Sequence, residues 1–389
     1  MVVRTAHLGT VRMYIYLHVP FCVSRCIYCD FYVVLEKHGG KDAYVDAVCR
    51  EIALRFAEIN ASDFPEGIQT LYVGGGTPSL LPVSAYQRIF EALNRYLPFA
   101  KNAEITIEAN PGGPFLQSAE AYLELGFNRI SVGVQSLNDR ELKRLSRIHS
   151  AAEAKHFIQR LQQVGWRNIS VDLMYALPKQ TLEDWRETLR QVVTLEVQHV
   201  SMYGLKVEEG TPLETLGQHP VAKASYAVPS DDENVAMYFE GLAMLEAAGF
   251  RRYEFSNLAK PGCESRHNLN YWNQGDFLAL GVAAHGYWNG VRYETVRDLQ
   301  AYLENPLAGE RFPCEPEEQL ENAIIFGLRK AEGIDIPALE RVFGFDFQAR
   351  YGHILTKYEG EFLERRAERL VLKEQAIQVS NVILSEFLI

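Results

Sequence analysis

A chain of 389 residues, 47% hydrophobic and 23% charged, is long enough for one large core plus a smaller unit. Its net charge of −11 argues against a general nucleic-acid or anionic-membrane binder. No apolar run reaches the roughly eighteen residues of a membrane span. Six cysteines, three of them clustered and Cys49, Cys263 and Cys314 scattered, do not form a disulfide framework, which points to a reducing cytoplasm.

Residues 1–12 lack the apolar core of a signal peptide and are expected to be an N-terminal extension. From Met13 the pattern becomes strand, loop, helix, repeated. Apolar, β-branched runs at 14–18, 70–73, 104–108, 129–134, 169–173 and 199–203 alternate with helical patterns at 44–59, 85–97, 119–125, 151–164 and 182–195. Such alternation predicts a parallel sheet, and six βα units predict an open, partial TIM-like barrel of α/β class spanning 13–230. Chemistry in such barrels sits on the loops that follow the strands.

The first of those loops carries Cys22, Cys26 and Cys29 at C-x3-C-x2-C. Thiolates so closely spaced suit a soft metal centre, and Fe–S clusters are held by Cys thiolates. Three ligands leave one iron of a 4Fe–4S cluster open to a small molecule. A structural zinc site wants a fourth Cys or His at regular spacing, and none follows.

Four more unusual clusters fall at the same end of the expected strands: Gly74-Gly75-Gly76-Thr77, the run from Glu108 through Asn110 to Gly113, Gly133-Val134-Gln135-Ser136, and Asp172. Consecutive glycines let backbone groups approach a ligand, or simply make a tight βα turn. Glu108 and Asp172 are carboxylates for hydroxyls or an ammonium, or else helix caps and ion-pair partners. Arg147 either forks onto a carboxylate or is a solvated helix-end charge.

Beyond the barrel, a polar stretch after Tyr203 reads as a lid or connector, with a helix expected over 235–248 and a strand over 253–258. The connecting region, 231–310, holds His267-Asn268-x-x-Tyr271-Trp272 and the small-residue run 281–286, read as a close-packed strand. By residue chemistry alone, His267 is a core histidine under a Tyr-Trp cap or a ligand to a flat macrocycle. From 311 to 389, helices at 317–330 and 347–360, a hairpin of 370–372 with 377–379, and a terminal helix describe a smaller, mainly α, winged-helix-like domain. Its Glu-rich flanks disfavour DNA as partner.

The cysteine spacing, with Tyr28 before the last Cys, resembles the signature of the radical S-adenosylmethionine (SAM) superfamily. Tyr16-x-His18-x-Pro20-Phe21-Cys22, Gly74 to Leu80, Glu108 to Gly112, Gly133 to Ser136, Arg147-x-His149, Asp172-Leu173-Met174 and Glu208 to Pro212 extend the resemblance to the oxygen-independent coproporphyrinogen III oxidase-like group. The resemblance implies a 4Fe–4S cluster on Cys22, Cys26 and Cys29. It implies SAM bound by Tyr16, Tyr28, Gly75, Gly76, Thr77, Glu108, Gln135, Arg147 and Asp172, some of which serve a second SAM in the oxidases. The oxidases carry a further Cys where this chain has Phe31, whereas Cys29-Asp30-Phe31 and the His-Asn-x-x-Tyr-Trp motif match the group's heme chaperones. That type implies heme or another tetrapyrrole at His267, Asn268, Tyr271 and Trp272, a heme-acceptor protein and an electron donor for the cluster as partners. An oxidase or methyltransferase remains the alternative, and catalysis is left open.

Overall fold

The computed structural model describes residues 12–388; of the expected extension, 1–12, all but Arg12 lie outside them. Six strands follow one another in the chain: β1 (Met13–Val19), β2 (Ile68–Gly75), β3 (Phe99–Ala109), β4 (Arg129–Gln135), β5 (Ile169–Tyr175) and β6 (His199–Gly204). Each pairs parallel with the next, through Leu17↔Val73, Val73↔Ile107, Ile107↔Ile130, Val132↔Val171 and Leu173↔Met202. All six expected strands are present. Each is longer than its apolar run by one to several residues.

The region expected as a connector builds both edges of this sheet. Beyond β6 lie β7 (Arg251–Arg252) and β8 (Asn257–Ala259), antiparallel; beyond β1 lies β9 (Leu278–Leu280), parallel. The nine strands run β9-β1-β2-β3-β4-β5-β6-β8-β7, an open sheet whose edges do not meet. Leu17, Val73, Ile107, Val132, Val171 and Val200 are fully buried along its centre. Each such side chain stabilises the fold by about 1.5–3 kcal/mol.

Helices cover the outer face because their apolar positions recur at helical spacing. Helix α1 (Lys41–Phe56) buries Tyr44, Val48 and Ile52, and α2 (Val83–Asn94) buries Tyr86, Ile89 and Leu93. Next come α3 (Phe115–Leu125), the short α4 (Asp139–Arg144), α5 (Ala151–Gln163) and α6 (Leu182–Val193). Reciprocal capping boxes start α5 at Ser150 and Glu153, and α6 at Thr181 and Asp184. The polar stretch after β6 contains a helix that the sequence reading did not find, α7 (Pro212–Gln218), before α8 (Asp231–Ala247).

Two local expectations are corrected. Residues 253–258 are not one strand: Tyr253 N–H donates to the Asn257 carbonyl, and Ser256 N–H to the buried Glu254, making a turn between β7 and β8. The run 281–286 is likewise not one strand: 281–284 form a turn, entered at Gly281 (φ +98°), whose N–H donates to Glu51 Oε2 at 2.8 Å, and a strand begins only at His285. A Cβ on Gly281 would lie 2.5 Å from the His18 carbonyl, so only glycine lets the turn approach β1.

Before the turn, α9 (Arg266–Trp272) carries the His-Asn-x-x-Tyr-Trp motif; after it, β10 (His285–Trp288), β11 (Val291–Thr295) and β12 (Gly309–Pro313) form a small antiparallel sheet, with α10 (Leu299–Glu304) between the last two. The C-terminal unit has the expected winged-helix-like order: α11 (Pro316–Arg329), β13 (Ile334–Asp335), α12 (Ile336–Phe343), α13 (Phe347–Tyr358), then β14 (Leu363–Arg366) and β15 (Arg369–Leu372). Its hairpin joins β14 to β15 rather than 370–372 to 377–379, which is a 3-10 turn. A tight turn with Ala367 at φ +55° makes that pairing possible. A terminal helix, α14 (Ser380–Ser385), closes the described chain.

Ile107 lies at the middle of this sheet, fully buried. Ile107→Ala is expected to lower unfolding free energy by about 2–5 kcal/mol in a urea titration, the range for deleting a buried aliphatic side chain.

Candidate functional site

The cysteine loop leaves β1 at Pro20 and returns at Val34, where Phe21–Cys22 pairs in parallel with Val34–Leu35. Inside it, Arg25 donates to the Cys29 carbonyl from both Nε and Nη2, and Cys29 N–H donates to the Cys26 carbonyl. Ile27 and Tyr28 pack on Leu145, Met174, Leu177, Leu205 and Leu213. Leu213 N–H, at the start of α7, donates to the Ile27 carbonyl at 2.9 Å, so the segment after β6 clamps the loop.

Against this loop lies the glycine turn after β2. Gly76 N–H donates to the Val19 carbonyl at 2.8 Å and Thr77 N–H to the Phe21 carbonyl at 2.7 Å. A Cβ on Gly76 would come within 2.7 Å of the Phe21 carbonyl oxygen. The Gly75 backbone, at φ +113°, passes directly beneath the His18 ring.

A chain of polar contacts then links two of the thiols. Cys22 Sγ meets Thr77 Oγ1 at 3.5 Å, and Asn110 Nδ2 donates to Thr77 Oγ1 at 2.9 Å. Arg147 Nη2 donates to Asn110 Oδ1 and to the Gly133 carbonyl, both at 2.6 Å, while its Nη1 reaches Cys26 Sγ at 3.5 Å. Burial pushes the Cys22 thiol up to about 11 and raises Cys29 as well. Among the described residues no three His, Cys, Asp or Glu side chains are already closed around one point. The three thiols instead share one loop and one wall of a cavity.

That cavity, of about 360 Å³, gathers eleven of the twelve residues expected at the cluster and SAM. Cys22, Cys26, Cys29, Tyr28, Gly75, Gly76, Thr77, Glu108, Gln135, Arg147 and Asp172 all line it, and so does Asn268. Gln135 is aimed there by a bulge in β4, where the register steps from Gly133 to Gln135 and the backbone turns to φ +66°. Ser131 Oγ donates to both Asp172 oxygens, at 3.0 and 3.1 Å. Glu108 accepts from Tyr72 OH at 2.8 Å and from Gly75 N–H at 3.1 Å.

Arg129 and Ser131, not singled out from the sequence, also line this cavity, as does Asn110, which the sequence marked only as part of the Glu108 to Gly113 run. Asn110 had a signal, its place in an Asn-Pro-Gly-Gly turn at a strand end. Arg129 had none, because a cation at the start of a strand reads as a solvated edge. It is in fact buried, and its Nε and Nη1, like Arg147 Nε, have no hydrogen-bond partner among the described residues. Buried guanidinium nitrogens without partners suit a ligand that brings a carboxylate. With three thiols and a backbone cradle alongside, the donor set fits a cluster with SAM.

Tyr16, also expected at SAM, lies elsewhere. It lines a second cavity of about 720 Å³ that contains Tyr271 and shares Phe31, Gly75 and Glu108 with the first. His267 and Trp272 line neither. His267 is fully buried: Thr70 Oγ1 lies 2.6 Å from Nδ1 and Tyr271 OH 2.8 Å from Nε2, with the ring stacked on Tyr72. Burial, then the nearby Arg129 charge, hold its pKa down to about 3. The placement departs from a ligand role because both ring nitrogens are engaged. It matches the core histidine that residue chemistry allows. Trp272 packs edge-on to Phe326 and beneath the Arg329 guanidinium, joining α9 to α11.

Fold and site together define a radical SAM protein: the Radical SAM superfamily model matches residues 16–192, and the HemN C-terminal domain model matches 314–379. Membership implies a 4Fe–4S cluster and SAM. Curated relatives include the heme chaperone HemW of Lactococcus lactis, 32% identical over 96% of this chain and 97% of that protein, and HemW of Bacillus subtilis, 31% identical over 96% and 98%. HemW of Escherichia coli is 39% identical over 70% of this chain and 69% of its own. The chain belongs to the HemW family. Its fold is that of the coproporphyrinogen III oxidase HemN of Escherichia coli, with a TM-score of 0.82 at 22% identity, covering 99% of this chain and 92% of that one.

Gly76→Ala is expected to abolish most cluster loading after anaerobic reconstitution, read as loss of iron and of the cluster's visible absorbance, because the added methyl drives the cysteine loop off its turn. Glu108 sets a pH dependence. Burial, and next the Asp172 charge, push its carboxyl up to about 7 from 4.5. Between those values the folded chain holds a proton that the unfolded chain releases, so stability falls as pH rises through that window. At about 1.4 kcal/mol per pKa unit the loss is roughly 3 kcal/mol by pH 8. In Glu108→Gln, denaturant titrations of the cluster-free protein are expected to lose that slope.

Proposed function

We propose that this protein is a heme chaperone: it binds heme and passes it to an acceptor protein, on a scaffold that holds a 4Fe–4S cluster and SAM. The observation that carries this reading is the pair of adjoining cavities. One is walled by the three cysteines, the other, twice as large, by aromatic side chains, and Phe31, Gly75 and Glu108 belong to both. Cys22, Cys26 and Cys29 hold the cluster as thiolates, leaving one iron for SAM. Gly75, Gly76, Thr77, Gln135, Arg147 and Asp172 bind SAM, with the partnerless nitrogens of Arg129 and Arg147 supporting its carboxylate.

If the protein is catalytic, a reduced cluster on these cysteines would supply one electron for the cleavage of SAM to methionine and a 5′-deoxyadenosyl radical. The chain's own residues orient SAM and shield it from water beneath the loop that α7 clamps. The position after Cys29-Asp30 is Phe31, not a further thiol, which favours cargo handling over the oxidase's two decarboxylations. An electron donor for the cluster and a heme acceptor are the protein partners in this reading. Cys49, Cys263 and Cys314 are free thiols, which supports a cytoplasmic setting, and among the described residues no helix is long and apolar enough to cross a membrane.

Anaerobically reconstituted protein titrated with heme is expected to saturate near one heme per chain, followed by the Soret band, and to release it to an apo-heme protein. Failure to bind heme, with 5′-deoxyadenosine formed when coproporphyrinogen and SAM are supplied, would replace this reading with the oxidase.

A further inference from the structure

The larger cavity, at about 720 Å³, falls within the roughly 300–1,000 Å³ typical of small-ligand sites. Its walls come from three places: Tyr16 on β1 and Phe31 on the cysteine loop, Tyr271 and Phe277 around the end of α9, and the β10–β12 sheet. Phe31 and Phe312 line it although 58% and 49% of their surfaces are exposed. Large aromatic surfaces left open around one hollow suit a flat apolar ligand.

The sheet side carries the cations. Arg297, just past β11, is exposed and has no hydrogen bond or ion pair among the described residues. Arg292, on β11, is partly exposed with Glu318 Oε1 at 3.0 Å from its Nη1. Three carboxylates also line the cavity: Asp30 and Glu108 on the barrel side, and Glu294 on the sheet beside Arg292.

His285 stands beside these arginines on β10, its side chain 64% exposed. Its register partner is Glu294, whose Oε2 lies 3.5 Å from Nδ1. With its proton on Nδ1, toward this carboxylate, the neutral imidazole leaves Nε2 its lone pair, the arrangement that metal-binding histidines share. Nothing among the described residues occupies Nε2 of His285. His267, by contrast, must break two buried hydrogen bonds before it ligates anything.

We propose that heme docks in this larger cavity, with His285 Nε2 as an axial ligand of the iron and Arg292 and Arg297 as partners of the two propionates. The inference rests on the heme-chaperone reading and assigns its cargo site. The porphyrin face lies on the aromatic wall, and Phe31 separates it from the cavity that the cysteines line. Ligation by His285 replaces a water or hydroxide on ferric iron and changes no oxidation state.

Ferric heme and iron-free protoporphyrin IX, titrated separately into the reconstituted protein, test both halves. His285→Ala is expected to weaken heme binding about tenfold or more and shift the Soret band, with added imidazole restoring the spectrum and protoporphyrin binding unchanged. Arg297→Ala, at an exposed position without partners, is expected to weaken both porphyrins several-fold, and Arg292→Ala with Arg297→Ala to weaken them further. Thermal melts of each variant check the fold. Unchanged affinity and Soret position in His285→Ala and in the arginine variants, with wild type binding normally, would overturn the assignment and leave the chaperone reading standing. So would a Soret shift confined to His267→Ala. No heme binding by wild type would overturn the chaperone reading itself, and the cargo site with it.

Discussion

Two backbone hydrogen bonds, Gly76 to Val19 and Thr77 to Phe21, hold the cysteine loop against the glycine turn, and the rest of the site is arranged around that contact. They require the two chains to approach more closely than any side chain allows, which is why glycine stands at 76. The parallel register of β1 and β2 delivers both turns to the same height, through His18↔Gly74 and Val19↔Gly75. A slip of one residue would turn the buried faces outward and separate the loops. Local chemistry and sheet register are therefore one constraint.

Behind the contact sits a group of buried charges that the fold leaves incompletely paired. Arg129 is buried and Glu108 and Asp172 are half-buried at the cavity wall, and the carboxylates are held toward their neutral forms chiefly by desolvation. Neighbouring hydroxyls from Tyr72 and Ser131 stabilise their charged forms in part. Partly satisfied polar groups in a low-dielectric interior are costly unless something completes them. The cavity they surround is where a charged, polar ligand completes them. Glu108 lies between both cavities, so a ligand in either meets the same carboxylate.

Much of this was legible in the sequence, for physical reasons that differ by element. Strands buried on both faces read as apolar runs, so the six barrel strands stood out; β3 was found only as its apolar half because Lys101 and Asn102 are exposed. The loops after the strands carried glycines and carboxylates that had plain uses one by one, and their gathering at one end of the sheet marked the cysteine cavity. Helix α7 and the seven-residue α9 were missed, since neither is long enough to show periodicity. Arg129 was hidden because burial of a cation depends on Glu104 and Asp172 across the sheet, not on its neighbours in the chain. His267 shows the opposite lesson. Its own residue chemistry, a ring beside Tyr271, described its surroundings better than the motif did. The cargo residues on β10, on β11 and just past it had no shared signature, because a His at the end of a small-residue run and two separate arginines come together only when the small sheet folds.

The central claim is that two ligands occupy two cavities on either side of Phe31. An anaerobic crystal structure of the reconstituted protein with SAM and heme tests it most directly. The account predicts SAM over Gly75, Gly76 and Thr77 with the cluster on the three cysteines, and the porphyrin on the far side of Phe31 with its iron at His285. A porphyrin stacked directly on the cluster loop, or bound at α9 with His267 swung out as its ligand, would contradict it.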